Sequence, residues 1–318
     1  LNYFLSKLYT LKLTAKIWLI VSLLWISSSF NLYSQTIQTS PILPDLSGLA
    51  WIDGDTFLAV HDAKNPIENF KPRVSMIWLP DSLKGITSIP LSLDWPLPLG
   101  LSSDLESVAR IPGKQSFLLV ESGEGIYNGQ QFRRVFLVEI RDQQLIMQSF
   151  TELPVSVKNI EGSAVVQIGD RLIFICAERA EGLRETNILF ADLQLEPLKI
   201  GVFEYVNFKP DNFTGPKVRV VSAIETDKNG QLYIASAFDS GDDNGPFESV
   251  IYRIGQVKHE NNKVSLILFN KPQQLATITG FKVESLAIRE LISGKLELFA
   301  GTDDENYGGT LRLIPTQH

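Results

Sequence analysis

The chain has 318 residues, 44% hydrophobic and 20% charged, enough apolar side chain for a sizeable core; this excludes wholesale disorder, a collagen-like fibre and a polytopic membrane protein. One cysteine, Cys176, excludes an intrachain disulfide and a cysteine-based zinc cluster, and three histidines (His61, His259, His318) leave no multi-histidine metal centre. The net charge of −7 argues against nucleic acid as a partner, because neutralising phosphates takes a Lys/Arg surplus.

Lys7, Lys12 and Lys16 precede an apolar run, IWLIVSLLWI (17–26), followed by the small and polar SSSFNLYSQ. A basic stretch, a short apolar stretch and a small residue at a cleavage point predict a secretory signal over residues 1–34. The apolar part is shorter than the ~20 residues a spanning helix requires, so cleavage is favoured over an N-terminal membrane anchor. The mature chain, 35–318, then has a net charge of −10, no membrane span and a single domain. An exported chain without disulfides fits a bacterial periplasm or exterior.

The mature chain is a repeat. Five segments share one pattern: DLSGLAWIDGDTFLAVHD (45–62), DLESVARIPGKQSFLLVES (104–122), NIEGSAVVQIGDRLIFICAER (159–179), VVSAIETDKNGQLYIASAFD (220–239) and KVESLAIRELISGKLELFAGTD (282–303). Each has a polar start, a small residue, a short apolar strand, a tight turn and a strongly apolar second strand. The anchors Ser47, Glu106, Glu161, Ser222 and Glu284 are 59, 55, 61 and 62 residues apart. Two more strand-like runs follow in each of the first four repeats: 74–79 and 86–93, 135–140 and 145–150, 187–193 and 199–206, 249–254 and 264–269. Four antiparallel strands per repeat predict a propeller blade. The fifth repeat offers only 310–314 as a third strand. TIQTSPIL (36–43) is the spare strand, predicted to complete that last blade and remove its open edge. The expected fold is all-β, a five-bladed β-propeller closed by the N-terminal strand; the alternative is six blades.

In such a fold the first strand of each blade lines the central channel, and the long loops gather on the face where those strands start. The opposite face carries little beyond hairpin turns, so the long-loop face is the site candidate. One ring of side chains there is Ser47, Glu106, Glu161, Ser222 and Glu284; a second is Asp62, Glu121, Glu178, Asp239 and Asp303, flanked by Asp45, Asp104 and Asn159. Carboxylates this crowded need a cation, a basic partner or water. Ca²⁺ suits an all-oxygen ligand set, with Glu106, Glu161, Glu284, Ser47 and Ser222 as expected ligands. The competing reading is a solvated or arginine-paired ring, with Arg110, Arg179 and Arg289 as partners. His61, Asp62 and Glu121 are the candidates for activating water. Cys176, in the apolar run LIFICAE, is expected to be a small buried residue.

The segments 47–62, 104–122 and 159–165 together resemble the bacterial phytase-like propeller proteins ("esterase-like activity of phytase") and the related SdiA-regulated proteins. In these a Ser-Gly-Leu repeat precedes an Asp-x-Glu-Gly repeat; this chain departs from the pattern at Ser107, where the family has Gly. The resemblance implies secretion, a propeller, and Ca²⁺-assisted hydrolysis of an ester or phosphoester. Two functions follow as expectations: a secreted hydrolase acting on a small ester or phosphate at the channel mouth, or a non-catalytic propeller that binds a carbohydrate, peptide or protein partner. The oligomeric state is not specified by the sequence.

Overall fold

Turn chemistry and two-sided burial set the strands. In the second strand of each repeat nearly every side chain is apolar, as a strand covered on both faces requires, and the first strand ends at a Gly-containing turn. The computed structural model describes residues 43–80, 85–180, 185–210, 220–260 and 263–315. The first sheet is β1 (Gly48–Asp53), β2 (Thr56–Val60), β3 (Val74–Trp78) and β4 (Thr87–Pro90), in that order. The second contains β5 (Leu105–Arg110) and β6 (Ser116–Glu121). A small hairpin, β7 (Ile126–Tyr127) and β8 (Gln130–Gln131), leads from these into β9 (Arg134–Arg141) and β10 (Gln144–Glu152). The third contains β11 (Ile160–Ile168), β12 (Arg171–Glu178) and β13 (Thr186–Leu195). Its outer edge is shared by β14 (Leu198–Ile200) and β15 (Glu204–Phe208), so the single run expected at 199–206 is two strands. The fourth is β16 (Val220–Thr226), β17 (Gln231–Phe238), β18 (Glu248–Glu260) and β19 (Lys263–Thr279), and the fifth β20 (Val283–Glu290), β21 (Leu296–Thr302) and β22 (Leu311–Ile314). All pairs are antiparallel. The only helical element among the described residues is a 3-10 turn, Glu305–Tyr307, and none of their helices is long and apolar enough to cross a membrane.

The five sheets are blades of one ring. β1, β5, β11, β16 and β20 pack side by side in sequence, and β20 packs against β1. The core divides accordingly into five apolar clusters, one at each blade interface. Phe117 and Phe136 belong to the interface of blades one and two; Phe174 and Cys176 to that of two and three; Tyr252 and Ile173 to that of three and four. Ile251 with Leu298 joins blades four and five, and Phe57 packs tilted against Phe299, ring centres 4.9 Å apart, to join five and one. Each such side chain contributes about 1.5–3 kcal/mol on burial. Cys176 is fully buried, as expected, and burial pushes its thiol well up. The structure is the five-bladed propeller; the six-bladed alternative is set aside.

Closure of the ring runs through the N-terminal segment. The Leu43 carbonyl accepts from Gly309 N–H at 2.8 Å, and Leu46 N–H donates to the Thr302 carbonyl at 3.1 Å. Ser285 Oγ donates to the Leu46 carbonyl at 2.7 Å. Residues 36–42 of the predicted closing strand, and the predicted signal segment 1–34, lie outside the described residues.

The small residue after each anchor has a steric cause. A Cβ on Gly48 would lie 2.7 Å from Ser107 Cα, and one on Gly162 would lie 2.6 Å from Ile224 N. These positions are where neighbouring inner strands touch, and Ser107 Oγ meets Ser163 Oγ at 2.5 Å across one such contact.

Candidate functional site

The aligned anchors share a backbone feature. Pairing of the first and second strands slips between Leu105 and Ser107, Ile160 and Gly162, Val221 and Ala223, and Val283 and Ser285. Glu106, Glu161, Ser222 and Glu284 are therefore each the extra residue of a β-bulge. A bulge leaves its residue unpaired and re-aims the side chain. Ser47, the fifth anchor, immediately precedes β1.

The three glutamates converge. Burial and then mutual repulsion, from Glu161 first and from Asp104 and Glu284 after it, hold the Glu106 carboxyl well above its usual range. Burial also raises Glu284 well above its usual range, against the pull of Lys282, and raises Glu161 against that of Arg179. Lys282 Nζ lies 3.0 Å from Glu284, 2.7 Å from Glu305, 3.4 Å from Asp239 and 3.9 Å from Asp303; Arg179 Nη1 lies 3.3 Å from Glu161. Arg179 is thus the one arginine of the three expected partners that reaches the ring. Arg110 stacks on Trp51 at 4.7 Å, and Arg289 pairs with Asp55 at 2.5 Å and Glu297 at 2.7 Å, all on the short-turn side. Lys282 was not anticipated, yet the alignment holds its signal: it stands two residues before Glu284, as Asp104 does before Glu106 and Asn159 before Glu161.

One sector of the mouth is short of positive charge. Ligand atoms of Asp62, Asp104 and Glu106 lie within 4.8 Å of one another. Asp104 is buried with a left-handed backbone (φ 62°). Its Oδ2 accepts from Ser122 Oγ, whereas its Oδ1 is buried without a partner. The cation of this sector is Lys64, 3.3 Å from Asp62 on an exposed side chain and drawn at longer range by Asp104 and Glu106 as well. Alongside, Asp45 is hydrogen-bonded to Asp303; burial, then the charges of Asp303 and Asp62, push its carboxyl up to about 7. The Asp62–Asp104–Glu106 group offers hard oxygen donors and one unused carboxylate oxygen, which fits Ca²⁺. Among the expected ligands only Glu106 belongs to this group. Glu161 and Glu284 face Arg179 and Lys282, Ser222 Oγ donates to the Val283 carbonyl at 2.6 Å, and Ser47 Oγ is buried without a partner.

Two proposed water-activating groups have other work. His61 is buried, with Nδ1 2.5 Å from the Asp45 carbonyl oxygen and Nε2 2.9 Å from Ser75 Oγ; burial lowers its pKa, so both ring nitrogens are occupied in a neutral imidazole. Glu121 is fully buried. It receives Arg134 Nη2 at 2.7 Å, Arg134 N–H at 2.7 Å and Ser102 Oγ at 2.9 Å. Glu178, on the same predicted ring, accepts from Lys158 N–H at 3.0 Å and Asn187 Nδ2 at 2.8 Å. These groups brace the loops. Asp62, Asp239 and Asp303 are the second-ring residues drawn into the mouth.

Comparison with solved structures places this architecture among five-bladed propellers. The chain is similar to an endo-1,4-β-xylanase from Bacteroides thetaiotaomicron, with a TM-score of 0.52 at 11% identity over 87% of this chain and 92% of that one. It is also similar to a GH43_12 protein from a capybara gut metagenome, with a TM-score of 0.50 at 13% identity over 92% of this chain and 55% of that one. A third similarity, to GH43B of the Bacteroides ovatus xyloglucan PUL, has a TM-score of 0.49 at 12% identity over 88% of this chain and 54% of that one. The chain spans about half the length of the last two proteins. Likeness at this identity concerns the fold alone. No protein-family model matches the sequence, and no curated protein matches it.

Proposed function

We propose that this chain is an exported propeller hydrolase that cleaves an ester or phosphoester at the long-loop mouth of the channel, in the manner the phytase-like resemblance implies. The observation that carries the reading is the unused, buried Asp104 Oδ1 beside Asp62 and Glu106, next to Asp45, whose carboxyl is pushed up to about 7. Asp62, Asp104 and Glu106 would hold Ca²⁺, which when bound polarises a substrate oxygen. Asp45, at about 7, is matched to general acid–base work at physiological pH, a role His61 cannot fill with both nitrogens engaged. The acid-rich rim disfavours a bare polyanion, so the substrate is neutral or reaches the site with its charge met by the cation. The names of the similar structures support hydrolysis as a reaction class and add glycosides to the bonds worth assaying.

The test is a panel of aryl esters, aryl phosphates, lactones and aryl glycosides on the purified chain, with Ca²⁺ or with a chelator. Calcium-dependent turnover, lost in Asp104→Asn and lowered roughly 10²–10⁴-fold in Asp45→Asn, is the expected result. Turnover unaffected by both substitutions would refute the site. No turnover on any substrate class would replace the hydrolase by a propeller that binds a carbohydrate, peptide or protein.

A further inference from the structure

The short-turn mouth of the same channel is not a closed row of hairpins. It holds a cavity of about 530 Å³, within the usual range for small-molecule sites. The last residues of all five inner strands contribute to its wall, among them Trp51, Arg110, Val165, Glu225 and Ile288.

Most charge around this cavity is already satisfied. Lys228 pairs with Glu290. Asp227 caps its own turn, accepting from Asn229 N–H and Gln231 N–H at 2.9 Å each and from Tyr233 Oη at 3.2 Å. Two groups remain. Arg110 lies over the Trp51 ring, its Nε is buried without a partner, and no carboxylate among the described residues is within ion-pair distance of it. Glu225 has one oxygen taken by Thr226 N–H at 2.8 Å. Burial, opposed by that N–H, lifts its carboxyl to about 8, so at neutral pH it is an acid able to donate a proton to an acceptor. What is left is a guanidinium with no ion-pair partner among the described residues, which feels Asp53 and Glu225 only at longer range, and one carboxyl donor in a pocket walled by Trp51, Val165, Ile288 and Leu296.

We propose that this cavity is a second ligand site, distinct from the acidic mouth, that binds a small monocarboxylate with an apolar body. Arg110 meets the carboxylate, the Glu225 carboxyl donates to its second oxygen, and the apolar walls with the edge of Trp51 cover the rest. A phosphate dianion fits worse: it brings more charge than one guanidinium offsets, against a rim carrying Glu225, Asp227 and Glu290. A neutral molecule leaves the guanidinium unmatched.

Benzoate and hexanoate are the probes, with benzyl alcohol and hexanol as their uncharged counterparts, read by calorimetry and by tryptophan fluorescence on the full chain. Both acids should bind saturably and the alcohols at least tenfold more weakly, as a hydrogen bond to a charged group predicts. Arg110→Gln should weaken acid binding about 10–100-fold, and Arg110→Lys less. Affinity should fall above pH 8 as Glu225 ionises beside Asp227, Glu290 and the ligand, and Glu225→Gln should remove that fall. Circular dichroism of each variant shows whether the blades are intact. Failure of both acids to bind, alcohols binding as tightly as acids, or a well-folded Arg110→Gln with undiminished affinity would each overturn the proposal. Loss of turnover at the long-loop mouth does not bear on it.

Discussion

Removing the Glu121 side chain measures whether this residue belongs to the chemistry or to the scaffold. Glu121 and Arg134 are 0% and 2% exposed, and three of the guanidinium–carboxylate contacts fall at 2.7, 3.1 and 3.2 Å. Arg134 also donates to the carbonyls of Gly100 and Leu101 at 3.0 and 3.2 Å, and its guanidinium lies over Phe136 at 4.9 Å. Glu121→Ala therefore strands a buried cation, together with the Ser102 hydroxyl and the Arg134 N–H. Breaking one side of such a pair costs about 3–5 kcal/mol. For a domain of this size that lowers Tm by roughly 6–20 °C. Glu121→Leu combined with Arg134→Met removes both charges and should recover most of the loss, because a matched apolar pair avoids the desolvation penalty. The assay is thermal and urea unfolding followed by circular dichroism, with turnover of the folded fraction measured in parallel. A Glu121→Ala protein that keeps its Tm but loses turnover would restore Glu121 to the catalytic set and refute the bracing role.

Three further outcomes are expected. Folded Asp45 holds its proton up to about pH 7 against an ordinary 3.8, so the folded state binds the extra proton and stability should fall as pH rises from about 4 to about 7; Asp45→Asn should flatten that slope in a Tm-against-pH series. Gly309→Ala places a Cβ against the Pro44 carbonyl and 2.9 Å from that of Thr302, so it should destabilise by about 1–3 kcal/mol through the closing contact, measured by urea unfolding. Glu106→Gln should raise Tm in chelator and abolish the rise that Ca²⁺ gives the unaltered chain.

The blades were legible because strands buried on both faces are written as unbroken apolar runs, and TFLAV, SFLLVE and RLIFICAE differ little in that respect. The anchors were legible for a steric reason: the residue after each bulge must be small where inner strands touch, which brings Ser47, Glu106, Glu161, Ser222 and Glu284 into one alignment. The roles assigned to individual polar groups were not. His61 finds its partners at Asp45 and Ser75, and Glu121 finds Arg134 across a loop, none of which any spacing rule links. Lys282 stands where the aligned repeats carry Asp104 and Asn159, so the pattern at that position marks its place but not its role as a counter-charge. The short-turn cavity leaves no trace in the sequence, since Trp51, Arg110 and Glu225 come one from each of three blades, each unremarkable in its own strand.

The ring is asymmetric, and the asymmetry falls where the cation site is proposed. A carboxyl at a bulge lining a channel carries a desolvation penalty that a neighbouring cation can offset. Two of the three glutamates have that offset, Glu161 from Arg179 and Glu284 from Lys282, and Lys282 also serves Asp239 and Glu305. Among the described residues Glu106 has no cation within ion-pair distance, and the strongest influences on it all oppose its ionisation. If all three glutamates served only the fold, the second blade would be expected to carry a serine in place of Glu106, as the first and fourth blades do at Ser47 and Ser222. Keeping Glu106 ionisable beside Asp62 and Asp104 sacrifices stability in one sector of the mouth, as functional sites commonly do. That is why the Glu106→Gln experiment separates the two roles. Substitution of a purely structural carboxyl lowers Tm, whereas substitution of one held for a cation raises it in chelator and removes the response to Ca²⁺. A lower Tm in chelator would assign Glu106 to the scaffold with Glu121.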